Sequence, residues 1–409
     1  MAFLDRLRSW KRASFQIVKL AARPVRTARG HHGVVMQPYR GYGSQSEIFL
    51  IGRIFRQSTP PSASAPRSGW RHLRDLGRRV ARRGLGGAVV RARFGESEQT
   101  VETDADGYFR VHLHLDTPPE QGRLWHWVDL TLTGPQEVTS RGHVFIPPRD
   151  ARFVVISDID DTVVFTGVAN WVAMVWRLFV QGAGSRVAFP GVAAFYRALY
   201  RGVSGGEHNP MLYVSRGPWG IYDILDEFFR LHRIPEGPVV FLREWGLSWT
   251  RPLPRKATDH KRILIDNMLT LYRDLPFVLI GDSGQHDPEV YRDIVAQHGD
   301  RVLAVYIRNV SGWGSRAAEI EALAKPVVEA GSAFVLAAET LAMVEHAAAL
   351  GLVGPEAVAE VRGETRADTQ GPVQHHPVRT AAPDEVPDMA AEADSPSIVV
   401  EPKRSRAQR

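Results

Sequence analysis

The chain has 409 residues, 44% hydrophobic and 23% charged, which is too long for one ordinary domain and apolar enough for real cores. It contains no cysteine, so disulfides, thiolate catalysis and Cys-ligated zinc or iron–sulfur sites are excluded. The formal net charge of +6 suits an anionic partner, but 45 of the 51 basic residues are Arg and only 6 are Lys, so an arginine count carries little weight and a well-placed lysine carries more.

Residues 1–36 read as a basic leader. Phe3, Leu4, Leu7, Trp10, Ile17, Val18 and Leu20 recur near helical period, with Arg6, Arg8, Lys11, Arg12 and Lys19 between them. That pattern fits either an in-plane membrane helix or a helix packed on the protein's own surface. No long apolar stretch precedes a small-residue cleavage site, and no stretch of about 18 apolar residues occurs. The expected location is therefore the cytosol, with peripheral membrane contact through residues 1–30.

Residues 37–149 read as strands. Ser46 to Arg56, Ala88 to Phe94, Tyr108 to Leu115, Trp127 to Leu132 and Ser140 to Ile146 are β-rich or alternating segments, which points to a small antiparallel sandwich-like domain. A Pro/Ser loop and an Arg-rich helical stretch, Trp70 to Arg83, interrupt it. This stretch lacks interleaved aromatics and any nucleic-acid-binding motif, so no nucleic acid is expected as a partner.

From 150 to 350, apolar strands starting near Arg152, Met211, Val239, Phe277, Val302 and Phe334 alternate with helices over Ile221–Leu231, Lys261–Tyr272 and Pro288–Gln297. The alternation predicts an α/β fold, a doubly wound and mostly parallel sheet with helices on both faces. Residues 351–409 are rich in Pro, Ala and charge, and a disordered tail is expected there.

The chemistry concentrates where strands end. Val154-Val-Ile-Ser-Asp158-Ile-Asp160-Asp161-Thr162 closes an apolar strand with three carboxylates, an arrangement that costs free energy unless a cation or a shifted pKa compensates. Phe277-Val-Leu-Ile-Gly281-Asp282-Ser-Gly-Gln-His-Asp287-Pro-Glu289 repeats the design. Two parallel strands can place Asp158 and Asp282 side by side, at the carboxyl ends where open α/β sheets bind ligands. The all-oxygen set suits Mg2+. Between them, Met211-Leu-Tyr-Val-Ser215-Arg216-Gly217-Pro-Trp219 ends a strand in a hydroxyl beside a glycine turn, and His260-Lys261 starts a helix that brings a cation. Asp287 reads equally as a residue steering Lys261 and as a helix N-cap.

These four segments resemble the motifs of the haloacid-dehalogenase-like phosphohydrolases. In particular, Ser-Asp-Ile-Asp-Asp-Thr, Ser-Arg-Gly-Pro-Trp, His-Lys and Gly-Asp-Ser-Gly-Gln-His-Asp-Pro-Glu look like the actin-patch-associated phosphatidate phosphatase family, over roughly residues 40–345. The resemblance implies that Asp158 is the nucleophile, Asp160 the general acid and base, and Ser215 and Lys261 the phosphoryl holders. It places Mg2+ between Asp158, the main-chain carbonyl of Asp160 and Asp282. Thr162, Arg216 and Gly217 fall at substrate-binding positions, with Asp161 and Asp287 behind them.

Asn170-Trp-Val-Ala-Met-Val-Trp-Arg-Leu-Phe-Val180 is an aromatic segment before Ser215, readable as a lipid-facing lip or as core. The leading expectation is hydrolysis of phosphatidate to diacylglycerol and phosphate through an aspartyl-phosphate. A phosphatase of a soluble phosphomonoester and a non-catalytic membrane or protein adaptor are the alternatives.

Overall fold

The computed structural model describes residues 33–56, 84–134, 137–159, 189–215, 219, 222–241, 257–311, 314–370 and 397–402. Residues 1–32 of the leader, the Trp70–Arg83 stretch, the segment 170–180, and Asp160, Asp161, Thr162, Arg216 and Gly217 lie outside the described residues; the last residues of the expected leader, Val34–Met36, belong to the first strand of the β-rich sheet.

The strand-rich half forms one eight-stranded sheet: β1 (Val34–Pro38), β2 (Gly41–Gly43), β3 (Glu47–Arg56), β4 (Val89–Phe94), β5 (Ser97–Glu102), β6 (Tyr108–His114), β7 (Trp125–Thr133) and β8 (Val138–Phe145). Every pairing is antiparallel except that of β2 with β8. Strict alternation explains the register: Val90 and Ala92, Val111 and Leu113, and Val128, Leu130 and Leu132 all point into one shared core, while their neighbours face outward. The sequence pattern missed β1, β2 and β5, which are short or polar. Ser97-Glu-Gln-Thr-Val-Glu102 gains its strand conformation from pairing with β4 rather than from its own apolar content.

The second half is a seven-stranded sheet of β9 (Val154–Asp158), β10 (Met211–Ser215), β11 (Val239–Phe241), β12 (Phe277–Asp282), β13 (Val302–Arg308), β14 (Ala333–Ala337) and β15 (Ser397–Val400). Its order is β11-β10-β9-β12-β13-β14-β15, and all pairs are parallel except β14 with β15. The central strands are apolar throughout because both faces are covered. On one face lie α1 (Val192–Arg201), α2 (Tyr222–Leu231), α6 (Thr340–Ala349) and α7 (Glu356–Gln370), packed on Val155, Tyr213, Ile280 and Tyr306. On the other lie α3 (Ala257–Leu271), α4 (Asp287–His298) and α5 (Ser315–Glu329), packed on Ile156, Leu212, Leu279 and Val305. Strand order reverses between β9 and β12, which opens a crevice at their carboxyl ends.

Two expectations are corrected here. Helix α3 starts at Ala257, so Lys261 sits in its second turn rather than at its start; the residues of the first turn, Ala257-Thr-Asp-His260, carry no apolar periodicity to reveal it. Part of the stretch expected to be disordered is ordered. In α7, Ala357 and Val361 are buried, Glu360 and Glu364 pair with Arg201 and Arg197, and β15 closes the sheet edge. Two apolar contacts one helical turn apart, plus ion pairs to α1, suffice where composition alone suggests no core.

The two sheets pack on each other. Tyr39 stacks on Trp219 with ring centroids 4.3 Å apart. The Gln37 amide donates to Asp223 at 2.6 Å, and the Arg40 guanidinium pairs with Asp226 and Glu236. Tyr39 is 4% exposed and belongs to the core of the second sheet. We therefore expect Tyr39→Ala to lower the unfolding free energy by about 3–5 kcal/mol, as large buried aromatics do. A loss below about 1 kcal/mol in urea denaturation would contradict this packing.

Candidate active site

The site forms at the carboxyl ends of β9, β10 and β12. Asp158 and Asp282 are the last residues of β9 and β12, and both are fully buried. The two strands run parallel side by side, with Ile280 opposite Ser157, so Gly281 stands level with Asp158 and Asp282 lies one residue beyond it. Asp287, the first residue of α4, is also buried. Carboxylate oxygens of Asp158, Asp282 and Asp287 all lie within 4.8 Å of one another.

Among the described residues, one cation enters this cluster. The Lys261 ammonium reaches across from α3, donates to Asp287 Oδ1 and stands 3.5 Å from Asp158 Oδ1. It also lies over the Tyr291 ring at 5.6 Å. Burial alone would push this ammonium down, but Asp158, Asp287 and Asp282 outweigh it and hold it above the ordinary lysine value of 10.5. Because the folded pKa is raised, the stabilisation from this charge is complete below that ordinary value and fades only as pH rises beyond it. At neutral pH the lysine is charged.

Asp287 has a second bond, accepting from the Asp282 backbone N–H at 3.2 Å, and it is the first residue inside α4, whose N-cap position is His286. It acts here as the acid that holds Lys261 and the end of β12. Gly281 makes room for it: a Cβ at 281 would stand 2.7 Å from the Asp287 Cβ and 2.9 Å from its Cγ. The Gly284 N–H donates to Asp282 Oδ1 at 2.7 Å, which fixes that carboxylate from the loop side.

Ser215, fully buried, is the last residue of β10. Its neighbour Val214 pairs with Asp158 across the ladder, so Ser215 lies one residue beyond the aspartate on the adjoining strand. The structure thus brings Asp158, Lys261, Asp282 and Asp287 together and places Ser215 beside them. Asp160, Asp161, Thr162, Arg216 and Gly217 lie outside the described residues.

Two arginines escaped the motif reading. Arg316, on α5, forks onto both oxygens of Glu289 at 2.7 and 3.0 Å and donates to the Ser283 and Gln285 carbonyls, clamping the loop between β12 and α4. Glu289 is held below the usual carboxylate range: burial opposes this, and the Arg316 hydrogen bonds outweigh it. Arg308 ends β13 directly opposite Asp282, is 2% exposed, and bonds the Ala338 carbonyl and the Thr340 hydroxyl. Its guanidinium lies 4.2 Å from the Phe189 ring centroid, and burial pushes its pKa down to about 10. An arginine where a strand of aliphatic residues ends, level with a motif aspartate, was the available signal.

This geometry sits inside a segment with known relatives. Residues 153–309 match the catalytic domain of phosphatidate phosphatase APP1. The chain is similar to phosphatidate phosphatase APP1 of Saccharomyces cerevisiae, 32% identical over 200 residues that cover 49% of this chain and 31% of the yeast protein. It is also similar to an uncharacterized protein of Schizosaccharomyces pombe, 26% identical over 217 residues covering 52% of this chain and 35% of that one. The chain therefore spans about a third of the length of these curated relatives. Among solved structures, a carbohydrate acetylesterase from Xanthomonas citri aligns at 11% identity and a TM-score of 0.24, covering 71% of this chain and 72% of that one, too distant to bear on the fold. All of Asp158, Ser215, Lys261, Asp282 and Asp287 fall inside the matched catalytic segment.

Removing the Lys261 ammonium leaves three buried carboxylates near each other. We expect Lys261→Met, measured in chelator, to lose about 3–5 kcal/mol of stability. Gly281→Ala, which must displace Asp287, should lose about 1–3 kcal/mol. Wild-type stability in either variant would contradict the site as described.

Proposed function

We propose that this chain is a Mg2+-dependent phosphatidate phosphatase of the haloacid-dehalogenase-like type, releasing diacylglycerol and inorganic phosphate. The observation that carries the reading is the buried Asp158, Asp282 and Asp287 cluster around Lys261, within the segment that matches a phosphatidate phosphatase catalytic domain. Among the described residues, three carboxylates against one ammonium leave a formal excess of two negative charges. That excess and an all-oxygen donor set fit one Mg2+ ion. Asp158 and Asp282, with the main-chain carbonyl of Asp160, would hold it. When bound, the ion supplies Lewis-acid neutralisation of the phosphoryl oxygens.

The chain's own residues then perform an in-line displacement. An Asp158 carboxylate oxygen attacks phosphorus, the P–O bond to the glycerol alcohol breaks, and Asp160 gives its proton to the departing oxygen. An acyl phosphate remains on Asp158. Water next attacks that phosphorus, Asp160 takes its proton, and the bond to Asp158 breaks, which frees phosphate and restores the carboxylate. Lys261, charged at neutral pH and steered by Asp287, neutralises the phosphoryl oxygens as charge builds on them. The Ser215 hydroxyl holds another of those oxygens. Burial of Asp158 and Lys261 keeps these interactions strong, because little water screens them.

In this reading the basic leader and the aromatic segment 170–180 bring the enzyme to a lipid surface. No helix among the described residues is long and apolar enough to cross a membrane. The test is phosphate release from phosphatidate in mixed micelles, with Mg2+ or chelator, beside a soluble phosphomonoester. We expect Mg2+-dependent turnover that favours the lipid and falls at least about a thousandfold in Asp158→Asn. Turnover of the soluble ester alone would keep the chemistry and discard the lipid substrate. No turnover of either by folded protein would favour an adaptor.

A further inference from the structure

We propose that Glu47, His112 and His114 form a second metal centre, a two-histidine, one-carboxylate site on the β-rich sheet that takes a divalent transition ion of the Zn2+ class. The site is independent of the acidic cluster and of the reaction proposed for it.

Its construction follows from strand geometry. The alternation in β6 buries Val111 and Leu113 and turns His112 and His114 to the same outward face. In the adjoining β3, Glu47 lies directly opposite His114, so three potential ligands meet on one patch of paired strands. Ligand atoms of all three lie within 4.8 Å of one another. His112 Nε2 is 2.6 Å from Glu47 Oε2, and the two imidazole rings are 4.6 Å apart. Around a tetrahedral Zn2+ with bonds of about 2.0–2.1 Å, ligand atoms stand about 3.3 Å apart, so small rotations of outward-facing side chains close the remaining gap.

The surroundings restrain the ligands. The Phe49 ring stacks on His112 at 4.1 Å and on Tyr42 at 5.4 Å, and both Phe49 and Tyr42 pack against the core of the second sheet. The backbone N–H of His112 donates to the Gln99 side chain at 2.9 Å, which ties β6 to the neighbouring hairpin. Two imidazoles and one carboxylate select Zn2+ or a similar ion over Mg2+, which prefers oxygen ligands alone. Three protein ligands leave a coordination position for water. The ion takes the place of the direct contact between His112 Nε2 and Glu47 Oε2. Because Phe49 stacks on a ligand and also packs on the second core, occupancy also stiffens the junction between the sheets.

The test uses the full-length chain with saturating Mg2+ to occupy the acidic cluster. Zn2+ is titrated by chelator competition, and Co2+ is added as a spectroscopic probe of coordination. We expect one Zn2+ per chain, a tetrahedral Co2+ absorption band, and a melting temperature that rises with Zn2+. His112→Ala and His114→Ala, both on an outward face, should each weaken Zn2+ at least about a hundredfold, at or beyond the upper end of the loss seen when only a supporting partner is removed. Asp282→Asn should leave Zn2+ affinity unchanged, and His114→Ala should leave Mg2+-dependent phosphate release unchanged. Zn2+ binding that survives both histidine substitutions would overturn the proposal. So would the absence of stoichiometric binding, which would reduce the cluster to a His112–Glu47 ion pair.

Discussion

An excess of buried negative charge at the ends of two parallel strands governs this molecule. Asp158, Asp282 and Asp287 are each almost wholly removed from water, and the Lys261 ammonium alone stands among them in the described residues. Burying like charges together is expensive, so the surrounding structure is organised to hold them there. Gly281 gives Asp287 its place against β12, the Gly284 N–H fixes Asp282, and Arg316 clamps the loop between the two. The cluster stands at the topological switch point, where open α/β sheets bind their ligands.

The β-rich half also bears on that site. Tyr39 reaches out of the first sheet and stacks on Trp219, a few residues after Ser215. Gln37 and Arg40 grip Asp223 and Asp226 on the helix that follows. The end of β10 that carries Ser215 therefore leads into a segment braced by the other sheet. This gives the strand-rich half a mechanical role in the site without making it part of the chemistry.

Much of this was legible in the sequence, for identifiable reasons. Strands that end in carboxylates, Asp158 and Asp282, announce themselves because apolar runs and acids do not otherwise adjoin. Lys261 stood out in a chain that otherwise uses arginine. The helices carrying these residues were found from periodicity, with boundaries off where the first turn is polar, as at Ala257. Three kinds of feature were not legible. Strands β1, β2 and β5 depend on partners distant in sequence. Helix α7 is held by ion pairs to Arg197 and Arg201 rather than by a broad apolar stripe. Arg308 and Arg316 act through contacts that only the fold creates, and an abundance of arginine hid them.

Calorimetric titration of Mg2+ into the 409-residue chain tests whether a divalent cation completes the acidic cluster. The account predicts that one Mg2+ binds the wild-type chain and that binding disappears in Asp282→Asn while the circular dichroism spectrum stays native. Equal Mg2+ affinity in the two proteins, or no Mg2+ binding to folded wild type, would contradict it.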